Sequence, residues 1–401
     1  MRTTRISALV ISTGALVCVW SSHALARPEL IHTRLFENDG KVFYRIPALV
    51  ITNKGTLIGV CNGRVGTPRD HCPYVQLAVR RSTDNGKTWS PMQMIADRKG
   101  WVAVGGAGIV DSATGEIMFH YGVGPGTAEA RKAHKESHPK AYTGSMIARS
   151  TDDGKTWKCE PKKLEPNSHG SKGGTHGSDT GIMLRHGAKK GRLLMPARTG
   201  IKIKDKDGKE KGVGVNCAIY SDDHGKTWKT SGVVQHNTGE ACLAELPDGT
   251  IYLNSRAGGD GWRLTARSKD CGQTWGDFAR SDALRDCNFG TAASIVSVPK
   301  EVHGRHFLLF TNAAHNQPGF NVVWNRKKFT ASVSFDGGKT WPLKKLINPG
   351  PSGYSASVMN KDGEFFVLYE KGERHYRDKG VSIVKFNLEW LLDGKALKDF
   401  K

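Results

Sequence analysis

Short runs of apolar and β-branched residues recur along the chain, and each hands over to the same polar turn. "VQLAVRRS", "GSMIARS", "CAIYS", "WRLTARS" and "FTASVS" all end on a serine that opens an eight-residue box. The boxes are "STDNGKTW" from Ser82, "STDDGKTW" from Ser150, "SDDHGKTW" from Ser221, "SKDCGQTW" from Ser268 and "SFDGGKTW" from Ser334. All five fit S-x-D-x-G-x-x-W. The pattern predicts strands that leave into hairpin turns. Within each box the Asp is expected to accept hydrogen bonds from turn amides. The Gly is expected to take a positive φ, and the Trp to pack beneath the turn. The boxes recur at intervals of roughly 50 to 70 residues, room for about one four-stranded sheet each. Repetition of one sheet unit about an axis predicts an all-β chain, a β-propeller. Few helices are expected, and "FNLEWLLDG" near the end is the best candidate.

The first residues stand outside this pattern. "MRTTR" is a short basic start, "ISALVISTGALVCVW" an apolar run, and "ALA", Ala24 to Ala26, a small-x-small cleavage site. They read as a secretory signal peptide over 1–26, with cleavage after Ala26 and a single propeller over 27–401. The apolar run falls short of the ~20 residues that a spanning helix needs. No membrane span is expected after cleavage, and the protein is expected to be secreted or periplasmic. The polar runs 126–144 and 167–179 read as surface excursions, not domain boundaries.

The net charge of +21 changes the picture little. The lysines are scattered through turns instead of gathered on one helix or patch, and export argues against nucleic acid as a partner. A basic secreted protein attracts anionic substrates or surfaces. Seven cysteines follow Ala26, so at least one is unpaired. Cys61 and Cys72 flank one short loop and are candidates for a disulfide. No Cys-x-x-Cys pair suggests a zinc site.

The box resembles the Asp-box of sialidases (neuraminidases) of the glycoside hydrolase family 33 type. The resemblance implies a six-bladed β-propeller with five Asp-box turns on the rim away from the active site. Other motifs carry the likeness further. "FYRIPAL" is similar to the family's [F/Y]RIP segment and implies that Arg45 is the first of three arginines that hold a substrate carboxylate. "GEACLAELPDGTIYLNSR" supplies Glu240 and the second arginine, Arg256; Arg326, eight residues before Ser334, is the third. Arginine suits this task because its planar paired donors stay charged in a pocket. "PSGYSASV" places Tyr354 as nucleophile, and "FFVLYE" places Glu370 as the carboxylate that pins Arg45. "CNGRVGTPRDHCPY" supplies Asp70 as acid/base and Arg64 as a contact to the sugar.

The chemistry explains the set. Sialic acid carries a carboxylate on its anomeric carbon, which repels an ionised nucleophile. A neutral tyrosine escapes that penalty if a neighbouring carboxylate, here Glu240, takes its proton. Sialidases are a recognised exception to two-carboxylate glycosidases in this respect, and retention of configuration is expected. The chemistry calls for no metal and no cofactor; the partners are sialylated glycans. One family feature is missing. Gly105 and Gly106, in "VGGAGIVDSATGEI", stand where an Asp-Pro pair usually contacts the N-acyl group, and Asp111 belongs to the following turn. Hydrolysis, anhydro-sugar release and transfer to another glycan share this constellation, and a non-catalytic glycan-binding propeller is the remaining alternative.

Overall fold

Every box folds into the same hydrogen-bonded knot. The structure, a computed structural model, describes residues 27–137, 144–175, 180–204, 206–234, 238–257, 261–287, 290–315 and 326–400. The signal peptide expected over 1–26 lies outside them. In each box the serine hydroxyl donates to the aspartate at 2.7 or 2.8 Å. The same oxygen accepts the box glycine's N–H. The aspartate's second oxygen takes the threonine hydroxyl before the tryptophan. The residue ahead of the glycine is itself left-handed in all five boxes, with φ of 58° at Asn85, 65° at Asp153, 59° at His224, 60° at Cys271 and 69° at Gly337. Two left-handed residues in succession explain why the second must be glycine.

The strands entering the boxes are Val75–Ser82, Gly144–Ser150, Glu210–Ser221, Trp262–Ser268 and Lys327–Ser334, as the apolar runs predicted. The chain is all-β, with four hydrogen-bonded sheets of seven, five, four and eight strands among the described residues. The seven-stranded sheet pairs the early strand Leu30–Glu37 with the late strand Gly380–Phe386. The long strand Leu343–Met359 serves two ribbons. Its first part pairs with Lys327–Ser334 and its second with Phe365–Lys371.

The core lies between successive ribbons, not at one centre. Leu49 and Leu57 pack with Leu368 and Ile383. Val50 and Val60 pack with Phe119, then Ile109 with Met195 and Ile219. Leu194 meets Leu243, Tyr252 meets Phe310, and Phe329 meets Val367. The boxes fasten these layers. Asp153 takes the hydroxyls of Thr52 and Thr56 at 2.7 and 2.6 Å, and Arg81 at 2.9 Å. His224 Nδ1 meets Asp111 at 2.7 Å. The carbonyls of Cys271 and Gly337 accept from Arg192 and Arg267 at 3.0 and 2.8 Å. In each case the partner belongs to the ribbon before the box.

Three details differ from or refine the sequence reading. Cys61 and Cys72 are both free thiols, so the candidate disulfide is not formed. Cys61 is sealed in the core, while the Cys72 thiol donates to the carbonyls of Val65 and Tyr74. The excursion at 126–144 contains a helix, Ala128–Ser137, capped by the Thr127 hydroxyl, which accepts from the Ala130 N–H at 3.0 Å. Its Ala, Glu, Lys and Arg content favours helix once a cap is present. The late helix was anticipated and spans Leu388–Leu392, capped by Asn387. No described helix is long and apolar enough to cross a membrane.

Two expectations follow. Asp223→Ala removes the bonds from Ser221 and Thr227 and should lower unfolding free energy by about 1 to 2 kcal/mol in denaturant titration, with turnover per folded molecule unchanged. The second concerns acid. Asp84 is held down to about 2, first by the Thr88 hydroxyl and amide. Asp152 is also held at about 2: burial raises it, but the Thr156 and Ser150 hydroxyls and the turn amides prevail. A carboxyl lowered below the ~3.9 of an unfolded Asp stabilises the fold above that pH and ceases to as pH falls through its folded value. Melting temperature should therefore drop between pH about 4 and about 2, and Asp152→Asn should lose less over the same descent.

Candidate active site

The boxes occupy one end of the strands, and the polar residues gather at the other. In the strand Ile251–Ala257, Ile251 pairs with the box serine Ser268, whereas Arg256 pairs with Arg263 at the far end. Arg326 likewise precedes Lys327–Ser334 at the end away from its box. Arg45, Arg64, Asp70, Glu240, Arg256, Arg326 and Tyr354 all line one cavity of about 560 Å³. Glu370, fully buried, lies beneath Arg45. The structure thus brings together every site residue expected from the sequence.

Arg45 owes its position to a bulge. The register of Val42–Ile51 shifts between Arg45 and Ala48, and Ile46 has φ of 57°. A β-branched residue rarely adopts this conformation, and it costs on the order of 1–3 kcal/mol. The bulge turns the Ile46 N–H to Glu370 Oε1 at 3.2 Å, beside the bond from Arg45 Nε at 2.9 Å. Glu370 Oε2 accepts the Tyr354 N–H at 3.2 Å. The approach requires glycine at 353, because a Cβ there would lie 2.0 Å from that oxygen.

Tyr354 stands between an acceptor and a donor. Its hydroxyl donates to Glu240 Oε1 at 2.8 Å and accepts from Arg256 Nη1 at 2.6 Å. Arg256 also pairs with Glu240 Oε2. Burial pushes the phenol's pKa up, and the Glu240 charge adds to it, against the three nearby arginines. Burial would raise the Glu240 carboxyl too, but Arg256, the Tyr354 hydroxyl and Arg326 hold it below its ordinary value. The pair is therefore a neutral phenol on a carboxylate. The Arg256 stem is set by glycines: a Cβ at Gly239 would come within 2.5 Å of it, and one at Gly290 within 2.6 Å. Arg326 donates to the Gly290 carbonyl at 2.9 Å, and its Cζ lies 5.1 Å from the Tyr354 ring centre.

Asp70 sits at the mouth with 63% of its side chain exposed. Its Oδ1 accepts from Arg45 Nη1 and Arg64 Nη1, both at 2.8 Å. Burial raises its pKa, but Arg45, Arg64 and Arg377 hold the carboxyl well below the usual carboxylate range. Val104, Tyr121, Ser145 and Thr175 also line the cavity. There Gly105 and Gly106 make a bulge with φ of 110° and 122°, clamped by Asn62, and offer the cavity no side chain. Asp111 lies in the turn beyond, on the box side, as expected. Among the described residues no group of three His, Cys, Asp or Glu could hold a metal ion.

Sequence reasoning missed Tyr376 and Arg377. Both lie in the hairpin loop after Phe365–Lys371. Tyr376 is buried under Arg45 and Arg326, its ring centre 5.2 and 4.9 Å from their Cζ atoms. Arg377 lines the cavity. The available signal was a basic and aromatic loop, "GERHYRDKG", that begins two residues after Glu370.

Comparison with known proteins agrees with this arrangement. The BNR repeat-like domain family matches residues 55–367. A sialidase of Micromonospora viridifaciens is 33% identical over 88% of this chain and 53% of its own length. A sialidase of Bacteroides fragilis is 30% identical over 92% of this chain and 67% of its own. Among solved structures, the Hadza microbial sialidase Hz136 superposes with a TM-score of 0.70 at 30% identity, covering 88% of this chain and 67% of that one. The chain thus spans about half the length of the Micromonospora relative and two thirds of the other two. Matched along most of its length by the repeat domain and by these proteins, the chain belongs to the sialidase family.

Proposed function

We propose that the protein is a secreted or periplasmic exo-α-sialidase that hydrolyses terminal α-linked sialic acids from sialylated glycans with retention of configuration. The observation that carries this reading is the Tyr354 hydroxyl, bonded to Glu240 and Arg256 in a cavity lined by three arginines at Tyr354. Arg45, Arg256 and Arg326 hold the substrate carboxylate. Glu240 takes the phenolic proton as Tyr354 Oη attacks the anomeric carbon. Asp70 gives a proton to the leaving oxygen, then takes one from the water that releases the sugar. Arg64 contacts the sugar, and Glu370 keeps Arg45 in place. A neutral nucleophile suits a substrate whose carboxylate adjoins the reacting carbon.

The same reading extends to architecture. Among the described residues, five interfaces of packed apolar side chains join successive ribbons from the first to the last, and a sixth packs the last ribbon against the first. The pairing of Leu30–Glu37 with Gly380–Phe386 links the two ends. These features support a six-bladed propeller over 27–401. The leader read over 1–26 supports export.

Two experiments test the function. Incubation with α-linked sialyllactose, followed by proton NMR from the earliest times, should show free sialic acid appearing as the α anomer. An anhydro sugar or a transferred sialoside would replace hydrolysis as the reaction. Binding without cleavage would make the protein a glycan-binding propeller. The second uses Tyr354→Phe, which keeps the ring. Turnover of a fluorogenic sialoside should fall roughly a thousandfold or more. Calorimetric affinity for sialic acid should stay within about tenfold, or ~1.4 kcal/mol. Glu240→Gln should behave alike. Near-normal turnover by Tyr354→Phe would remove it as nucleophile.

A further inference from the structure

The loop between Phe365–Lys371 and Gly380–Phe386 is built to deliver two side chains. Asp378 accepts the N–H groups of Glu373, Arg374 and His375 at 3.0, 2.8 and 3.1 Å, which closes the loop on itself. Gly372 permits the closure, since a Cβ there would lie 1.8 Å from the His375 carbonyl oxygen. Asn38 ties the loop to the strand bearing Arg45. Its Nδ2 donates to the Arg377 carbonyl at 2.9 Å, and its Oδ1 accepts the Tyr44 N–H at 2.8 Å. Tyr376, 1% exposed, packs its ring 5.1 Å from Arg377 Cζ while also facing Arg45 and Arg326. Arg377 is thereby fixed against the cavity, with Nη2 3.5 Å from Asp70 Oδ2.

Asp70 is shared between competing cations. One oxygen holds Arg45 and Arg64, and the other faces Arg377. Under the proposed mechanism a substrate carboxylate engages Arg45, the guanidinium on which Asp70 now rests. Asp70 must then stay at the leaving oxygen without that contact. We propose that Arg377 is a positioning residue for Asp70: it holds the second carboxyl oxygen, so that the acid/base group remains aimed at the leaving group when Arg45 turns to substrate. The proposal rests on the sialidase reading and deepens it. The charged groups that face Asp70 are Arg45 from Val42–Ile51, Arg64 from Leu57–Val65 and Arg377 from this loop, with Arg69 and His71 beside it in the chain. Loss of Arg377 removes one of the cations that favour the ionised carboxyl, so Asp70 keeps its proton to higher pH.

The test exploits leaving-group ability. An aryl sialoside departs with little help from an acid, whereas sialyllactose needs its leaving oxygen protonated. Arg377→Gln should lower kcat on sialyllactose about tenfold more than kcat on the aryl sialoside. It should also move the basic limb of the pH–rate profile up by about half a pH unit or more. Arg377→Lys restores the charge without the fork. It should return the limb to its original position and recover part of the sialyllactose rate. Circular dichroism melts confirm that each variant is folded, and the Lys variant keeps the test decisive should the Gln variant fold poorly. Equal losses on both substrates, or an unmoved limb with an unchanged ratio, would overturn the proposal. Wild-type protein that cleaves neither substrate would overturn the sialidase reading, and this assignment with it.

Discussion

One buried carboxylate organises the site. Glu370 has no exposed surface, and a charge in that position is costly unless it is fully paired. Its partners are the Arg45 guanidinium and the N–H groups of Ile46 and Tyr354. They come from strands far apart in sequence, Val42–Ile51 and Leu343–Met359, while Glu370 itself is the next-to-last residue of Phe365–Lys371. The left-handed Ile46 and the bare Gly353 are both consequences. Each lets backbone reach a carboxylate that a regular strand or a Cβ would keep away. Backbone strain is tolerated here because the acceptor over-determines it. The registers of Arg45 and Tyr354 are thus set by one group that lines no cavity wall itself.

The two ends of the strands divide the work. At the box end, hydrogen bonds close within eight residues and then reach back to the preceding ribbon through Asp153, His224, Cys271 and Gly337. Those contacts fix the spacing between packed layers whose apolar faces are otherwise non-directional. At the other end the loops are free of that duty and carry Asp70 and Arg377, while strand ends carry Arg45, Glu240 and Arg256. Chemistry on strand ends and short loops benefits from a scaffold stapled elsewhere.

This division also decides what could be read from sequence. The boxes were legible because their bonds are local: Ser221, Asp223, Gly225 and Thr227 define a turn by themselves. The site residues were legible where a strand-end motif preserves their spacing, as "YRIP" does for Arg45 and "LYE" for Glu370. Tyr376 and Arg377 were not. Their roles come from Asn38, Arg45 and Arg326 converging from distant segments, and no local pattern encodes such convergence. Thiol pairing was equally opaque. Cys61 and Cys72 are close along the chain, yet Cys61 is turned into a core layer and Cys72 onto the carbonyls of its own loop. The excursion helix, Ala128–Ser137, was hidden for a simpler reason: its composition favours helix, but its polarity marks only a surface excursion.

Among the described residues, Arg45, Arg64, Arg256, Arg326 and Arg377 line the cavity with Asp70 and Glu240 as the carboxylates, and Glu370 lies beneath. The surplus is positive, which suits an anionic ligand. It does not leave the arginines loose, because each has a fixed partner. Arg45 rests on Glu370, Arg256 on Glu240 and Tyr354, and Arg326 on the Gly290 carbonyl. Preorganised donors of this kind need little rearrangement when a carboxylate arrives. Asp70 differs, being mostly exposed and held by contacts that a ligand would contest. The group with the most freedom is therefore the one to which the proposed mechanism assigns two successive proton transfers, and the cations around it favour its ionised form.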